Sequence, residues 1–396
     1  MEIEMKKIVA LALAVATLAM CAMLSSCGLV ETGDVEVAII TDGGNVGESS
    51  MNQAVVIAAA KFAIAHDKTH DVYHPISQSQ EDLVDSIMQA VVNGAKVVVC
   101  SGQLLESAVY EVEDLFPDVR FLLVDGEPKG IEKASVLVAA TNNANKQEGT
   151  AEESADKAAE TTAPTKQTKI SKNVFCITFH EEQAGYLAGY VSVRDGYTKF
   201  GFISEKDSEA DMLYASGFLQ GIQDAAREMG MIDRINVKFR YSGTMDTHDE
   251  VKSAVESWII AGTEMVFASG NTCVPVIAAA EAQNGRVICT DSDHSKASDL
   301  VVNSAMKFVE KPITEALDSL YNNGLKWDKQ HAGVSLECGV AESGVGLNTA
   351  AAAWRFGNYG IDAYENIVAR IVAGEIKVDN TGNILQNHEI TIDFFS

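Results

Sequence analysis

A chain of 396 residues with 47% hydrophobic content can bury two ordinary cores, which excludes a disordered protein. Its 56 acidic against 30 basic residues give a formal charge of −26, which repels nucleic acid and anionic membrane surfaces. Nucleic-acid binding is thereby set aside.

Residues 1–27 combine two lysines, an apolar run from Ile8 to about Leu24, then small residues and a cysteine, the three parts of a secretory signal. The acidic residues before Met5 suggest Met5 as an alternative start of translation. The run is short for a membrane span and is broken by Thr17 and Cys21. Leu24-Ser25-Ser26-Cys27 resembles the lipobox of bacterial lipoproteins, in which the cysteine is acylated and becomes the new N-terminus. Residues 28–34 would then be a tether on an exported, membrane-anchored protein.

Strands are expected at 35–41, 71–75, 96–100, 119–125, 174–179, 199–204, 235–241, 264–269, 286–291 and 299–304, each a short apolar run. Between them lie helix-patterned stretches such as EDLVDSIMQAVVNG and HDEVKSAVESWIIAG, whose terminal glycines suit helix ends. This βαβ alternation fills both halves of the chain, so two α/β domains with parallel sheets are expected. Residues 141–170 break the pattern; they have no aromatic and almost no large apolar side chain, and are read as a disordered surface insertion.

The loop after the first strand, TDGGNVGESSMNQ, lacks the lysine of a phosphate loop and the GxGxxG of a dinucleotide fold. Asp42 and Glu48 would place carboxylates where a pyrophosphate must sit, so the loop suits a neutral or cationic ligand. There is no GxSxG elbow and no Ser, His and Asp set in hydrolase order, so catalysis is not expected. His66, His70 and His74 recur every four residues, but a helix end at 67–69 separates them, and no metal site is assigned. Seven cysteines show no CxxC spacing, and Cys100, Cys176 and Cys289 lie in apolar runs as buried thiols.

Together, Asp42, Gly43, Gly44, Ser50, Asn52 and Gln53 of the first loop, the run VVNGAKVVVCSGQLLESAVYEVEDLFPDVRFLLVD, the helix HEEQAGYLAGYVS, GFISEKDSEADMLYASGFLQGI, VFASGNTCVPVIAAAEAQNGRVICTDSDH and VVNSAMKFV resemble the basic membrane protein (PnrA-like) family. These are solute-binding lipoproteins of ABC importers, the best understood of which bind purine nucleosides. The resemblance covers about 34–375; Glu48 and Met51 depart from the family's usual aspartate and aromatic.

The resemblance implies a type I periplasmic-binding-protein fold of two doubly wound lobes joined by three crossings. The lobes are expected at 35–178 with 294–325, and at 179–293 with 326–396. It implies ligand contacts from Asp42, Met51, Asn52, Asp125, Tyr214, Gly270, Asp291, Asp293 and Lys307. Asp42 and Asp125 would take the base edge, Tyr214 would stack on the base opposite Met51, and Asp291, Asp293 and Lys307 would bind ribose hydroxyls. Lys307 is expected early on a helix, where structure alone gives it no reason. Asp42 and Asp125 also read as ordinary loop acids, Asp293 as a turn cap, Met51 as core and Tyr214 as helix packing.

The expected protein is a lipid-anchored monomer on the extracytoplasmic face, with no cofactor, serving a permease and its ATPase. A sugar or other small solute is the alternative ligand, and a lipid-anchored nucleoside-processing enzyme the alternative of a different class.

Overall fold

The computed structural model describes residues 35–44, 50–130, 169–205, 208–243 and 248–395. The lipobox with Cys27, the tether, Glu48 and nearly all of the 141–170 insertion lie outside them.

Two sheets carry the chain. The first has strands β1 (Val37–Ile40), β2 (His70–Tyr73), β3 (Val97–Ser101), β4 (Arg120–Val124), β5 (Val174–Phe179) and β11 (Val334–Cys338), in the order β11-β5-β4-β3-β1-β2. The second has β6 (Lys199–Ser204), β7 (Asn236–Tyr241), β8 (Met265–Ala268), β9 (Arg286–Asp291), β10 (Val301–Lys307), β12 (Val345–Leu347) and β13 (Thr391–Phe395), in the order β12-β10-β9-β8-β6-β7-β13. All pairings are parallel except that of β10 with β12. Strands such as VAII, VVVCS and MVFA are buried along their whole length, as sheets covered on both faces require.

Each lobe repeats one winding: β2-β1-β3-β4-β5 in the first and β7-β6-β8-β9-β10 in the second. The strand order reverses between β1 and β3, and between β6 and β8, which opens a crevice beyond the carboxyl ends of those strands.

Nine helices are described: α1 (Met51–Ala65), α2 (Gln80–Val92), α3 (Glu106–Val112), α4 (Glu181–Asp195), α5 (Glu209–Glu228), α6 (His248–Ile260), α7 (Cys273–Gln283), α8 (Glu310–Asn322) and α9 (Ile361–Val372). Ser50, Ser79 and Ser208 cap α1, α2 and α5 by accepting from the backbone N–H three residues on.

The chain passes between the sheets at His180, at Phe308–Val309 and again between Cys338 and Val345. The crossings are tied together: His180 N donates to the Cys338 carbonyl at 3.2 Å and Phe308 N to the Gly344 carbonyl at 2.8 Å. Val340 N donates to Gln183 Oε1 at 2.8 Å. The expected lobe boundaries at 293 and 325 need correction, because β10 pairs with β9 and β11 with β5. The second crossing therefore follows Lys307, and the third follows Cys338. The cause is β10, which runs to Lys307 rather than ending near 304: buried Asn303 interrupts its apolar pattern but is satisfied by the carbonyls of Asn348 and Ala353. Edge strands β11, β12 and β13 were not expected at all; β11 and β13 are partly exposed and lack a long apolar run.

Helices α4 and α5 are in backbone contact. Gly185 and Gly189 on α4 face Gly217 and Gly221 on α5, each pair four residues apart. A Cβ at Gly217 would meet the Glu182 carbonyl oxygen at 1.8 Å, and one at Gly221, Gly189 or Gly185 would meet a carbonyl oxygen of the facing helix at 2.1, 2.2 or 2.4 Å. The backbones touch, which sinks α4 so deeply that Glu181, Glu182 and Asp195 are buried with it. Each finds a partner: Lys307, His180, and the N–H groups of Asn358 and Tyr359 respectively.

Candidate functional site

The ends of β1, β3, β4, β8, β9 and β10 converge on the crevice. Asp125 follows β4 and Asp291 ends β9, the fourth strand of each lobe, and both adopt left-handed backbone with φ of +68° and +69°. Aspartate tolerates this conformation better than most residues, and it recurs at matching strand ends of the two lobes.

Between them stands Lys307. It is the last residue of β10, not an early helix residue, and its side chain is 2% exposed. Its Nζ lies 2.8 and 3.0 Å from the two carboxylate oxygens of Asp125, 2.9 Å from Glu181 Oε1 and 3.3 Å from Asp291 Oδ1. Burial alone would lower its pKa, but Asp125, Glu181 and Asp291 outweigh burial and hold it well above its usual value. The ammonium thus joins the two lobes, since Asp125 belongs to the first and the other members to the second. Glu181, absent from the sequence-based site, completes the cluster as the first residue of α4.

Tyr214 is brought to the cluster but not as a free stacking face. It is 1% exposed, its ring lies 5.9 Å from Phe267, and its hydroxyl donates to Asp291 Oδ1 at 3.2 Å. The close approach of α5 to α4 buries it, so its ring is not the open stacking face that was expected, and its hydroxyl is engaged by Asp291.

On the first lobe, Asp42 Oδ1 accepts from Gly44 N at 2.8 Å and from Asn52 Nδ2 at 2.6 Å, so Asp42 and Asn52 act together. Met51 is half-buried at the start of α1 and packs on the core. On the second, Gly270 has φ +60° and donates to Thr290 Oγ1 at 3.1 Å; Thr290 in turn donates to Asp291 Oδ2 at 2.9 Å. Asp293 accepts from Ser295 N at 2.8 Å, as a turn cap does.

Two further residues were missed. Ser269 donates to Asp211 Oδ1 at 2.6 Å, and burial raises the Asp211 carboxyl. Its counterpart Ser101, the last residue of β3, is buried with a hydroxyl that has no partner among the described residues. The repeated Ser-Gly of CSGQ and ASGN was the signal that could have found both. The rim is bridged by Lys129, 3.2 Å from Glu106 on its own lobe and 3.4 Å from Glu209 on the other.

With one lysine held by three carboxylates, the cluster offers acceptors and an excess of negative charge. Glu181 is pushed up to about 7, by burial first, with Lys307 opposing and Asp125 adding. A carboxyl raised from its ordinary 4.5 contributes stability in full below about 4.5 and loses it as pH rises through about 7. Lys307, raised above 10.5, changes nothing in that window. The melting temperature of wild type should therefore fall relative to that of Glu181→Gln between about pH 4.5 and 7; parallel profiles would refute this role for Glu181.

A family model described as ABC transporter substrate-binding protein PnrA-like matches residues 35–380. The chain belongs to this PnrA-like family. Basic membrane protein D of Borreliella burgdorferi (strain JD1) is 26% identical over 183 residues, 45% of this chain and 51% of that protein, so the match spans about half the length of that relative. An ABC transporter solute-binding protein from Aeropyrum pernix K1 superposes with TM-score 0.64 at 17% identity, covering 90% of this chain and 95% of that one. One from Conexibacter woesei DSM 14684 gives 0.62 at 17% identity, over 87% and 99%. The PnrA-like chain thus has the type I periplasmic-binding-protein fold.

Proposed function

We propose that this PnrA-like protein binds an uncharged purine nucleoside in the crevice and delivers it to a membrane permease. The observation that supports the reading is the Lys307 cluster, in which carboxylates from both lobes gather on one cation. Base amino groups and ribose hydroxyls are donors that suit those acceptors, whereas a phosphate would meet net negative charge in a site shielded from water. Asp42 with Asn52, and Asp125 and Ser101, would serve one end of the ligand; Gly270, Asp291 and Asp293 would serve the other. A ligand touching both lobes favours the closed arrangement, which is the form a permease would read. This is binding without turnover.

Calorimetry with adenosine, guanosine, inosine, ribose and adenosine monophosphate tests the reading. Nucleosides should bind, and the monophosphate at least 100-fold more weakly, about 2.7 kcal/mol. Tight binding of ribose alone would replace the reading with sugar binding, and conversion of a bound nucleoside would replace it with catalysis.

Anchoring through an acylated Cys27 completes the proposal. Cys27→Ser should leave the protein as unacylated precursor and release it from the lipid-anchored fraction; unchanged acyl labelling would overturn the anchor.

A further inference from the structure

Behind the crevice wall of the second lobe lie three ligand-type side chains that the crevice does not use. Cys273 is the first residue of α7, Cys289 lies within β9, and His294 follows on the loop after it. The two sulfurs and an imidazole nitrogen all lie within 4.8 Å of one another. They are 16 and 5 residues apart in sequence, a spacing that matches no metal motif; the β8-α7-β9 turn of the sheet assembles them.

We propose that Cys273, Cys289 and His294 form a site for a thiophilic d¹⁰ cation, Zn²⁺, which ties the loop after β9 to the start of α7. Tetrahedral zinc with Zn–S of about 2.3 Å places two sulfurs about 3.8 Å apart, so the sulfur pair needs to contract by no more than roughly 1 Å. Cys273 opens an 11-residue helix, and its thiol donates to the Ala268 carbonyl at 3.3 Å. Two thiolates and a neutral imidazole around a dication sum to zero charge, which suits a place where Cys273 and Cys289 are 2% and 0% exposed. Binding exchanges protons for metal: Zn²⁺ enters, both S–H bonds break, two Zn–S bonds form, and two protons leave to solvent. The fourth position remains for a water.

The ion would fasten the segment that carries Asp291 and Asp293 without touching the crevice ligands, so the site stands whether or not the solute is a nucleoside. The test uses the full chain, stripped with a chelator, and Co²⁺ as probe. One equivalent of Co²⁺ should give the near-ultraviolet band of thiolate-bound cobalt and the visible bands of a tetrahedral ion, all displaced by Zn²⁺, with two protons released per ion. Cys289→Ser and His294→Gln should weaken Co²⁺ binding at least 10-fold. No sulfur band from wild type, no proton release, or an unchanged band in the Cys273→Ser, Cys289→Ser double variant would each overturn the proposal; the first two need no variant to fold.

Discussion

Replacing Gly217 by alanine should unfold or nearly unfold the second lobe. The new Cβ would stand 1.8 Å from the Glu182 carbonyl oxygen, which is helix backbone and cannot rotate away. Alanine's helix preference over glycine returns about 1 kcal/mol, while separating two packed helices by more than an ångström costs on the order of 4–5 kcal/mol. The clash wins. Thermal melting should show a fall of roughly 10 °C or more, and solute binding in the crevice should be lost with it because α4 and α5 carry Glu181 and Tyr214. Gly357→Ala is the control: nothing lies within 4 Å of its Cβ position and its backbone is not left-handed, so its stability should change by no more than about 0.5 kcal/mol. A Gly217→Ala protein as stable as that control would show that the helices are not in backbone contact.

The second large effect is expected from Lys307→Met. Methionine fills much of the same volume but leaves Asp125, Glu181 and Asp291 facing one another with no cation between them. Breaking a buried ion pair from one side costs about 3–5 kcal/mol. The loss should shrink as pH falls toward 5, because protonation removes the orphaned charges, and adding Glu181→Gln should recover part of it. A destabilisation independent of pH would mean that packing, not charge, is what Lys307 supplies.

Much of the fold was legible because doubly covered parallel strands must be apolar throughout, and runs such as VVVC and FLLV say so directly. The same logic placed Asp42, Asp125, Gly270 and Asp291 at strand ends, where the structure has them. Lys307 was legible as a residue but not as a place. Asn303 and Ser304 made β10 look finished, and the partners that satisfy Asn303 come from about 45 residues further on. Glu181 and the helix glycines were hidden for a related reason: a buried acid and a close helix crossing are defined by what lies opposite, not by their neighbours in the chain. Tyr214 was misread as a stacking ring because its burial depends on that same crossing. Cys273, Cys289 and His294 looked like separate apolar or loop residues until a sheet brought them side by side.

The positions of Glu181 and Lys307 have a mechanical meaning. Glu181 follows the first crossing by one residue and Lys307 precedes the second by one, while Asp125 N is bonded to the Ile177 carbonyl on the strand that leads into the first. The charged knot therefore sits at the axle of any lobe rotation, and Lys129 with Glu209 sits out on the rim. In a rotation, displacement grows with distance from the axis, so opening that breaks the rim pair need hardly stretch the knot. If the lobes part to capture and release a solute, as the proposed function requires, such a bearing would keep them in register and leave the outer contacts to set how readily the jaws open.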